Sequence, residues 1–191
     1  MFICNISFSH MNYGNQKNGV VLWFTGLPAS GKTTLGKAVQ SILRLNNIQV
    51  ELLDGDEVRQ GISFDLGFSK EDREKHAKRV VYISKLLERN GVFVIVTLIS
   101  PYKETREYAR KNLQNFVEIH VKAPVEVCIK RDPKGLYKKA LSGEIHHFTG
   151  IDDPYEEPEN PELIIETSKY SIDQCVGQIL HYLKIREFIP K

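Results

Sequence analysis

The chain has 191 residues, 41% of them apolar and 26% charged, enough for one domain with a buried core and outside the range of disordered or low-complexity chains. Its 26 Lys and Arg against 24 Asp and Glu leave a net charge of +2, too balanced for wrapping nucleic acid or coating an anionic membrane. Cys4, Cys128 and Cys175 are far apart and form no CxxC pair, which argues against a disulfide framework or zinc site and for reduced thiols in a cytoplasmic setting.

Residues 1–18 read as an N-terminal extension ahead of a domain over 19–191. Met1–Phe8 is mildly apolar but has no basic flank and no full apolar stretch, so it reads as a frayed or strand-like leader rather than a signal peptide. Val20–Thr25 is a continuous apolar run, a strand, ending at Gly26. Lys32–Leu45 has helical spacing through Leu35, Ala38, Val39, Ile42 and Leu43. Ile48–Leu53 is a second strand, closed by Asp54-Gly55-Asp56. Ser69-x-x-Asp72 resembles a capping box opening a helix through Glu88, and Asn90-Gly91 ends it.

Val92–Leu98 is the third strand, broken by Ser100-Pro101; at this length it is far short of the roughly 20 residues a membrane span needs. A helix over 103–113, a strand at Phe116–Val121, a helix from Pro124 to about Lys130, a short strand at Ile164–Ile165 and a helix at Ile172–Leu183 complete the alternation. This pattern predicts an α/β fold: a parallel sheet of about five strands with helices on both faces. Ligands of such sheets bind beyond the carboxyl ends of the strands. Two stretches break the rhythm, a basic one over 131–150 and an acidic one from Asp152 to Glu162 with Pro154, Pro158 and Pro161. Each reads as a functional lid or a disordered insert.

Gly26-Leu27-Pro28-Ala29-Ser30-Gly31-Lys32-Thr33 matches GxxxxGK[ST] between a strand and a helix, the context that motif requires, and makes the expected fold a P-loop NTPase-type parallel sheet with helices on both faces. Its glycines let successive amides face phosphate oxygens, the helix dipole adds to them, Lys32 reaches the β- and γ-phosphates and Thr33 suits Mg²⁺. No NKxD guanine reader is present, and the third strand ends without an acid. Asp54 and Asp56 stand instead after the second strand, where alternation along an extended tip puts both on one side. That placement suits a small kinase, one carboxylate facing the metal and the other an acceptor hydroxyl. On the next helix Ala77, Val80, Ile83 and Leu87 form the expected buried stripe, with Arg73 in its middle and His76 at its edge. Arg73 is expected to point into the crevice, where a buried cation needs an anion, either Asp54 or Asp56 or a ligand. Arg59 is a second cation at the same mouth. The pair suits an acceptor that is an anion bearing a hydroxyl. His146 and His147 lack a third metal ligand at usual spacing.

These residues resemble the adenylylsulfate kinase (APS kinase) family. The resemblance runs from about Gly19 to Leu183 through Leu53-Asp-Gly-Asp56 with Arg59, Leu66-Gly-Phe68, Asp72-Arg73, Leu98-Ile-Ser-Pro-Tyr102, Asp132-Pro-Lys-Gly-Leu-Tyr-Lys-Lys-Ala140 and Phe148-Thr-Gly-Ile-Asp152. It implies transfer of the ATP γ-phosphoryl to the 3′-hydroxyl of adenosine 5′-phosphosulfate (APS), giving PAPS and ADP in sulfate activation. Residues 26–33 with Thr34 would hold ATP, Thr33 and Asp54 would hold Mg²⁺, and Lys32, Asp56 and Ser100 would be catalytic. Asp56, Arg59, Phe68, Arg73, His76, Ile99, Ser100, Lys134, His147 and Phe148 would bind the acceptor, with Phe68 and Phe148 sandwiching its adenine. Ser100 stands where some members carry a phosphoserine, although direct in-line transfer is physically simpler. Residues 131–150 would form a lid. The family also implies a homodimer and an ATP sulfurylase as partner, with no nucleic acid or membrane. His76 stands where members often have Asn. It keeps another anionic nucleotide or small-metabolite hydroxyl open as acceptor, beside a catalytically silent nucleotide-binding module.

Overall fold

The computed structural model describes residues 19–190, so the extension over 1–18, with Cys4 and the Met1–Phe8 leader reading, lies outside them. Strand β1 (Val21–Thr25) is buried along its whole length, as a continuous apolar run requires. Leu22 and Phe24 face a core with helices α1 (Lys32–Leu45) and α7 (Ile172–Ile185). Val21 and Trp23 face the opposite core, against α3 (Lys70–Glu88) and α4 (Lys103–Asn112). Strands β2 (Val50–Asp54), β3 (Phe93–Thr97), β4 (Phe116–Lys122) and β5 (Leu163–Glu166) complete an all-parallel sheet of order β2-β3-β1-β4-β5. Parallel strands put all their carboxyl ends on one edge, so Gly26, Asp54, Leu98 and Thr167 emerge side by side.

Two helices escaped the sequence pattern. Helix α2 (Gly55–Gly61) begins where an extended tip was expected, because the Asp54 carboxylate caps the Asp56 amide at 3.1 Å. The extended-tip reason for pairing Asp54 with Asp56 therefore fails, since Asp56 sits in the first turn of a helix. Helix α6 (Leu136–Leu141) lies inside the expected lid, after α5 (Val125–Arg131). In α3 the buried face is His76, Ala77, Val80, Val81, Ser84 and Glu88, while Ile83 and Leu87 are only half-buried. Packing against α4 as well as β3 turns the face away from the simple stripe. The capping box of α3 is half made: Ser69 accepts from the Asp72 amide, but Asp72 itself accepts from the Gly67 amide.

The acidic stretch is neither lid nor loose insert but a strap across the sheet. Lys103 pairs with Glu159 at 2.8 Å, Arg110 with Glu162 and Lys122 with Glu157 at 2.9 Å, while the Arg106 guanidinium donates to the Glu156 carbonyl at 2.6 Å. Prolines keep such a segment extended, so its carboxylates meet cations on α4 and β4 in turn.

Candidate active site

The turn after β1 is built to leave amides unused. A Cβ on Gly26 would lie 2.4 Å from the Val121 carbonyl, and Gly31 has φ 106°, so neither position admits another residue without strain. Helix α1 starts without a side-chain cap and without an acid in its first turn, leaving its positive end open to an anion. Lys32 is buried and donates to the Gly26 and Leu27 carbonyls at 2.9 and 2.7 Å. Burial pushes its ammonium down from 10.5 to about 8. The loop is braced from outside by residues the motif does not contain. Arg131 donates to the Ser30 carbonyl and to Thr167, Thr167 donates to the Ser30 carbonyl at 2.7 Å, and Tyr137 donates to the Pro28 carbonyl. Thr167 follows β5, so the strand-end rule alone had the signal to find it; Arg131 and Tyr137 needed tertiary contacts.

Asp54 accepts hydrogen bonds from Thr33 at 2.7 Å and Thr97 at 2.9 Å. Burial alone would raise its pKa, but these hydroxyls and the Asp56 and Glu57 amides hold it below the usual carboxylate value. It is thus ionised beside a hydroxyl oxygen, a hard-oxygen pair that fits Mg²⁺ held by few protein ligands. Asp56 pairs with Lys134 from the segment between α5 and α6. Both side chains are more than half exposed, so solvent screens the pair and it contributes little to stability.

The expected acceptor residues gather only in part. Arg73 does not pair with Asp54 or Asp56; it donates to the Phe68 and His147 carbonyls. Arg59 donates to the Gly67 carbonyl and lies 4.6 Å from the centre of the Phe68 ring. Among the described residues neither guanidinium forms an ion pair, and burial together with the Arg73 charge pulls Arg59 below its ordinary value. His76 is buried, with Nδ1 3.0 Å from Ser63 Oγ. Burial, then the Arg59 and Arg79 charges, push its imidazole down to about 4, so at neutral pH it presents an uncharged ring.

Phe148 departs from its expected place. The Asp152 carboxylate clamps the His147 and Phe148 amides at 2.7 and 2.6 Å, with His147 at φ 58°. This turn sends the Phe148 ring inward, edge-on to Tyr137 at 4.9 Å, in a small core shared with Leu27 and Ala29. Phe68 remains 60% exposed. His147 is exposed and lies outside the cavity wall.

Ile99 and Ser100 follow β3 under tight control. The Thr25 hydroxyl donates to the Ile99 carbonyl at 2.7 Å, and Arg106 to the Ser100 carbonyl at 2.7 Å. Arg106 also forms a buried ion pair with Glu118 at 2.8 Å. Ser100 is held at φ 45°, and Trp23 Nε1 donates to its hydroxyl at 3.0 Å. Neither Trp23 nor Arg106 carries a sequence signal for a site.

A cavity of about 900 Å³ joins these groups. The loop contributes Pro28, Ala29, Gly31, Lys32, Thr33 and Thr34 to its wall. Asp54, Asp56, Arg59, Phe68, Arg73 and His76 line it further, and Ile99, Ser100 and Lys134 close it. Gly26, Leu27 and Ser30 support the loop from behind, and His147 and Phe148 are not on the wall. A glycine-rich loop with an uncapped helix N-terminus, opening onto the same space as carboxylates and two cations that form no ion pair among the described residues, belongs to a P-loop kinase. The chain belongs to the adenylylsulfate kinase family: the adenylylsulphate kinase family model matches residues 18–166. It is 52% identical over 162 residues to a probable adenylyl-sulfate kinase of Pseudomonas aeruginosa, covering 85% of this chain and 76% of that one. It is 49% identical to an adenylyl-sulfate kinase of a Synechococcus strain, over 91% of this chain and 99% of the relative. The Mycobacterium tuberculosis APS kinase, solved in complex with AMPPNP and APS, superposes with a TM-score of 0.85 at 41% identity, over 87% of this chain and 98% of that one.

Proposed function

We propose that this chain carries out the reaction of its family, moving the γ-phosphoryl of ATP to the 3′-hydroxyl of APS to give PAPS and ADP. The observation that carries this reading is one cavity whose walls hold both the open amide loop and two guanidiniums without a carboxylate partner among the described residues. An unpaired cation at a cavity wall favours an anionic ligand, and the phosphosulfate supplies one. The loop amides and Lys32 hold the triphosphate and offset charge that spreads over the transferring group. Arg59 and Arg73 grip the acceptor anion, Phe68 offers its exposed face to the adenine, and Ile99 and Ser100 border the acceptor. Asp56 orients the 3′-hydroxyl and takes its proton as oxygen bonds to phosphorus. Thr33 and Asp54 would hold Mg²⁺, which when bound offsets phosphate charge.

Purified protein given ATP, Mg²⁺ and APS is expected to form PAPS and ADP in equal amounts. No PAPS under conditions where an established APS kinase works would overturn the reading. An acceptor with higher kcat/KM than APS would favour a different anionic hydroxyl compound. Ser100 enters as an acceptor contact, not as a covalent relay, because a positioned hydroxyl nucleophile needs none.

Lys32 sets an alkaline limit. Its protonated form prevails below its pKa of about 8 and is lost as pH rises through it. The kcat/KM for ATP is expected to fall along a limb near pH 8. The kcat limb should lie higher, since bound polyphosphate favours the ammonium. A pH–rate series showing both limbs at the same pH would contradict this.

Lys134 must leave Asp56 when the acceptor hydroxyl arrives, so the segment over 131–150 acts as a lid that keeps water from the triphosphate. Amide exchange across 131–150 is expected to slow when ADP and APS are both present; exchange unaffected by the two ligands would count against a lid. Its root is anchored by the core of Tyr137, Cys128 and Phe148 against Leu27 and Ala29, so the movement belongs to the exposed turn carrying Lys134.

Cys128 and Cys175, buried and without a disulfide among the described residues, and the use of ATP support a cytoplasmic setting. No helix among the described residues is long and apolar enough to cross a membrane. The family supports a homodimer, with an ATP sulfurylase supplying the acceptor. The hexameric APS kinase of Thiobacillus denitrificans matches at 33% identity, but this chain spans 30% of that one, so its assembly is not carried over.

A further inference from the structure

We propose that Trp23 is a positioning residue for the acceptor: its indole N–H fixes the Ser100 hydroxyl as a hydrogen-bond donor into the cavity, toward an anionic oxygen of the bound acceptor. The inference rests on reading the cavity as an APS kinase site.

An indole nitrogen donates and never accepts, whereas a serine hydroxyl has one hydrogen and two lone pairs. Trp23 Nε1 lies 3.0 Å from Ser100 Oγ in a buried contact. One lone pair of Ser100 is therefore occupied and its hydrogen is turned away from the indole. Neither partner is free to rearrange. Trp23 is fully buried on β1, at the centre of the sheet, with its ring 6.0 Å from that of Phe116. The Ser100 backbone is held at φ 45° by Arg106 on its carbonyl. Arg106 is fixed in turn by its buried ion pair with Glu118 and its bond to the Glu156 carbonyl.

Ser100 lines the cavity, which leaves that space as the outlet for its O–H. Accepting from the indole also polarises the hydroxyl and makes it a better donor. No carboxylate or imidazole among the described residues bonds to Ser100 Oγ, so no base stands ready to make it a nucleophile. Charge-assisted donation to a phosphate or sulfate oxygen is the role its surroundings prepare.

The test uses the fact that the chain has one tryptophan. Trp23→Phe removes the N–H together with some volume. Growth on β-(3-benzothienyl)alanine replaces the same residue with a near-isosteric ring that has sulfur in place of N–H, so a packing defect in Trp23→Phe does not obscure the result. Both forms are expected to raise KM for APS about fivefold, while KM for ATP and kcat stay within about twofold. Ser100→Ala should raise KM for APS at least as much. The double variant Trp23→Phe, Ser100→Ala should be no worse than Ser100→Ala alone, because the indole would act only through the hydroxyl. Additive losses, a sulfur isostere with unaltered KM for APS, or a loss falling on kcat or on ATP would overturn the proposal. Wild-type protein that forms no PAPS overturns the functional reading and this inference together; active wild type with indifferent Trp23 variants overturns this inference alone.

Discussion

Asp56→Asn is expected to lower kcat for PAPS formation at least about 100-fold, the range spanned by loss of a positioned general base. Asparagine keeps the size of the side chain and its place in the first turn of α2, but it cannot take the proton of the attacking hydroxyl. The folded state should hardly notice. Asp56 is exposed, its only ion pair among the described residues is the screened one with Lys134, and the cap of α2 is supplied by Asp54. Melting temperature should therefore stay within a few degrees of wild type while single-turnover phosphoryl transfer collapses. KM for ATP should change little, because the proposed seat of the triphosphate is the loop and Lys32, not Asp56. A kcat within tenfold of wild type would remove Asp56 from the chemistry and leave it a partner of the lid.

Arg106→Met should act the other way round, on stability first. Arg106 and Glu118 have side chains 4% and 8% exposed, at 2.8 Å. Removing the cation leaves Glu118 dependent on half-exposed Arg110 alone and strips donors from the Ser100 and Glu156 carbonyls. Breaking a buried pair by deleting one partner costs about 3–5 kcal/mol, a fall in melting temperature on the order of 10 °C for a domain of this size. Adding Glu118→Gln to Arg106→Met should recover part of the loss, since no uncompensated carboxylate is then buried. A loss below about 1 kcal/mol in urea titration, or no recovery in the double variant, would show that α4 and the strap do not depend on this pair.

The strands and long helices were legible because their signals are local and repetitive: a continuous apolar run such as Val20–Thr25, or helical spacing as in Lys32–Leu45. The amide loop was legible because glycine, lysine and threonine at fixed spacing between a strand and a helix have one dominant use. Asp54 and Asp56 were named correctly for the cavity wall, but for a reason that fails, since the chain turns helical at Gly55 as soon as Asp54 caps it. The expected stacking partner Phe148 illustrates the opposite case. Its family motif is present, yet the Asp152 clamp on two successive amides turns the ring into the core beside Tyr137. The proline-rich acidic stretch looked like an unattached insert because its partners on α4 and β4 lie 35–56 positions away along the chain.

Taken alone, the amino-acid order determined the alternating architecture, the phosphate seat and the identity of the ionisable groups at the strand ends, all properties carried by short-range patterns. Tertiary structure alone decided that Arg59 and Arg73 are left without carboxylate partners among the described residues, that Arg131 and Thr167 brace the loop, and that Trp23 and Arg106 hydrogen-bond Ser100. Those outcomes depend on which buried donors and acceptors meet once the sheet has formed, and burial makes every such pairing obligatory. A residue's neighbours across the fold, not along the chain, set whether its charge or hydrogen is spent internally or presented to a ligand.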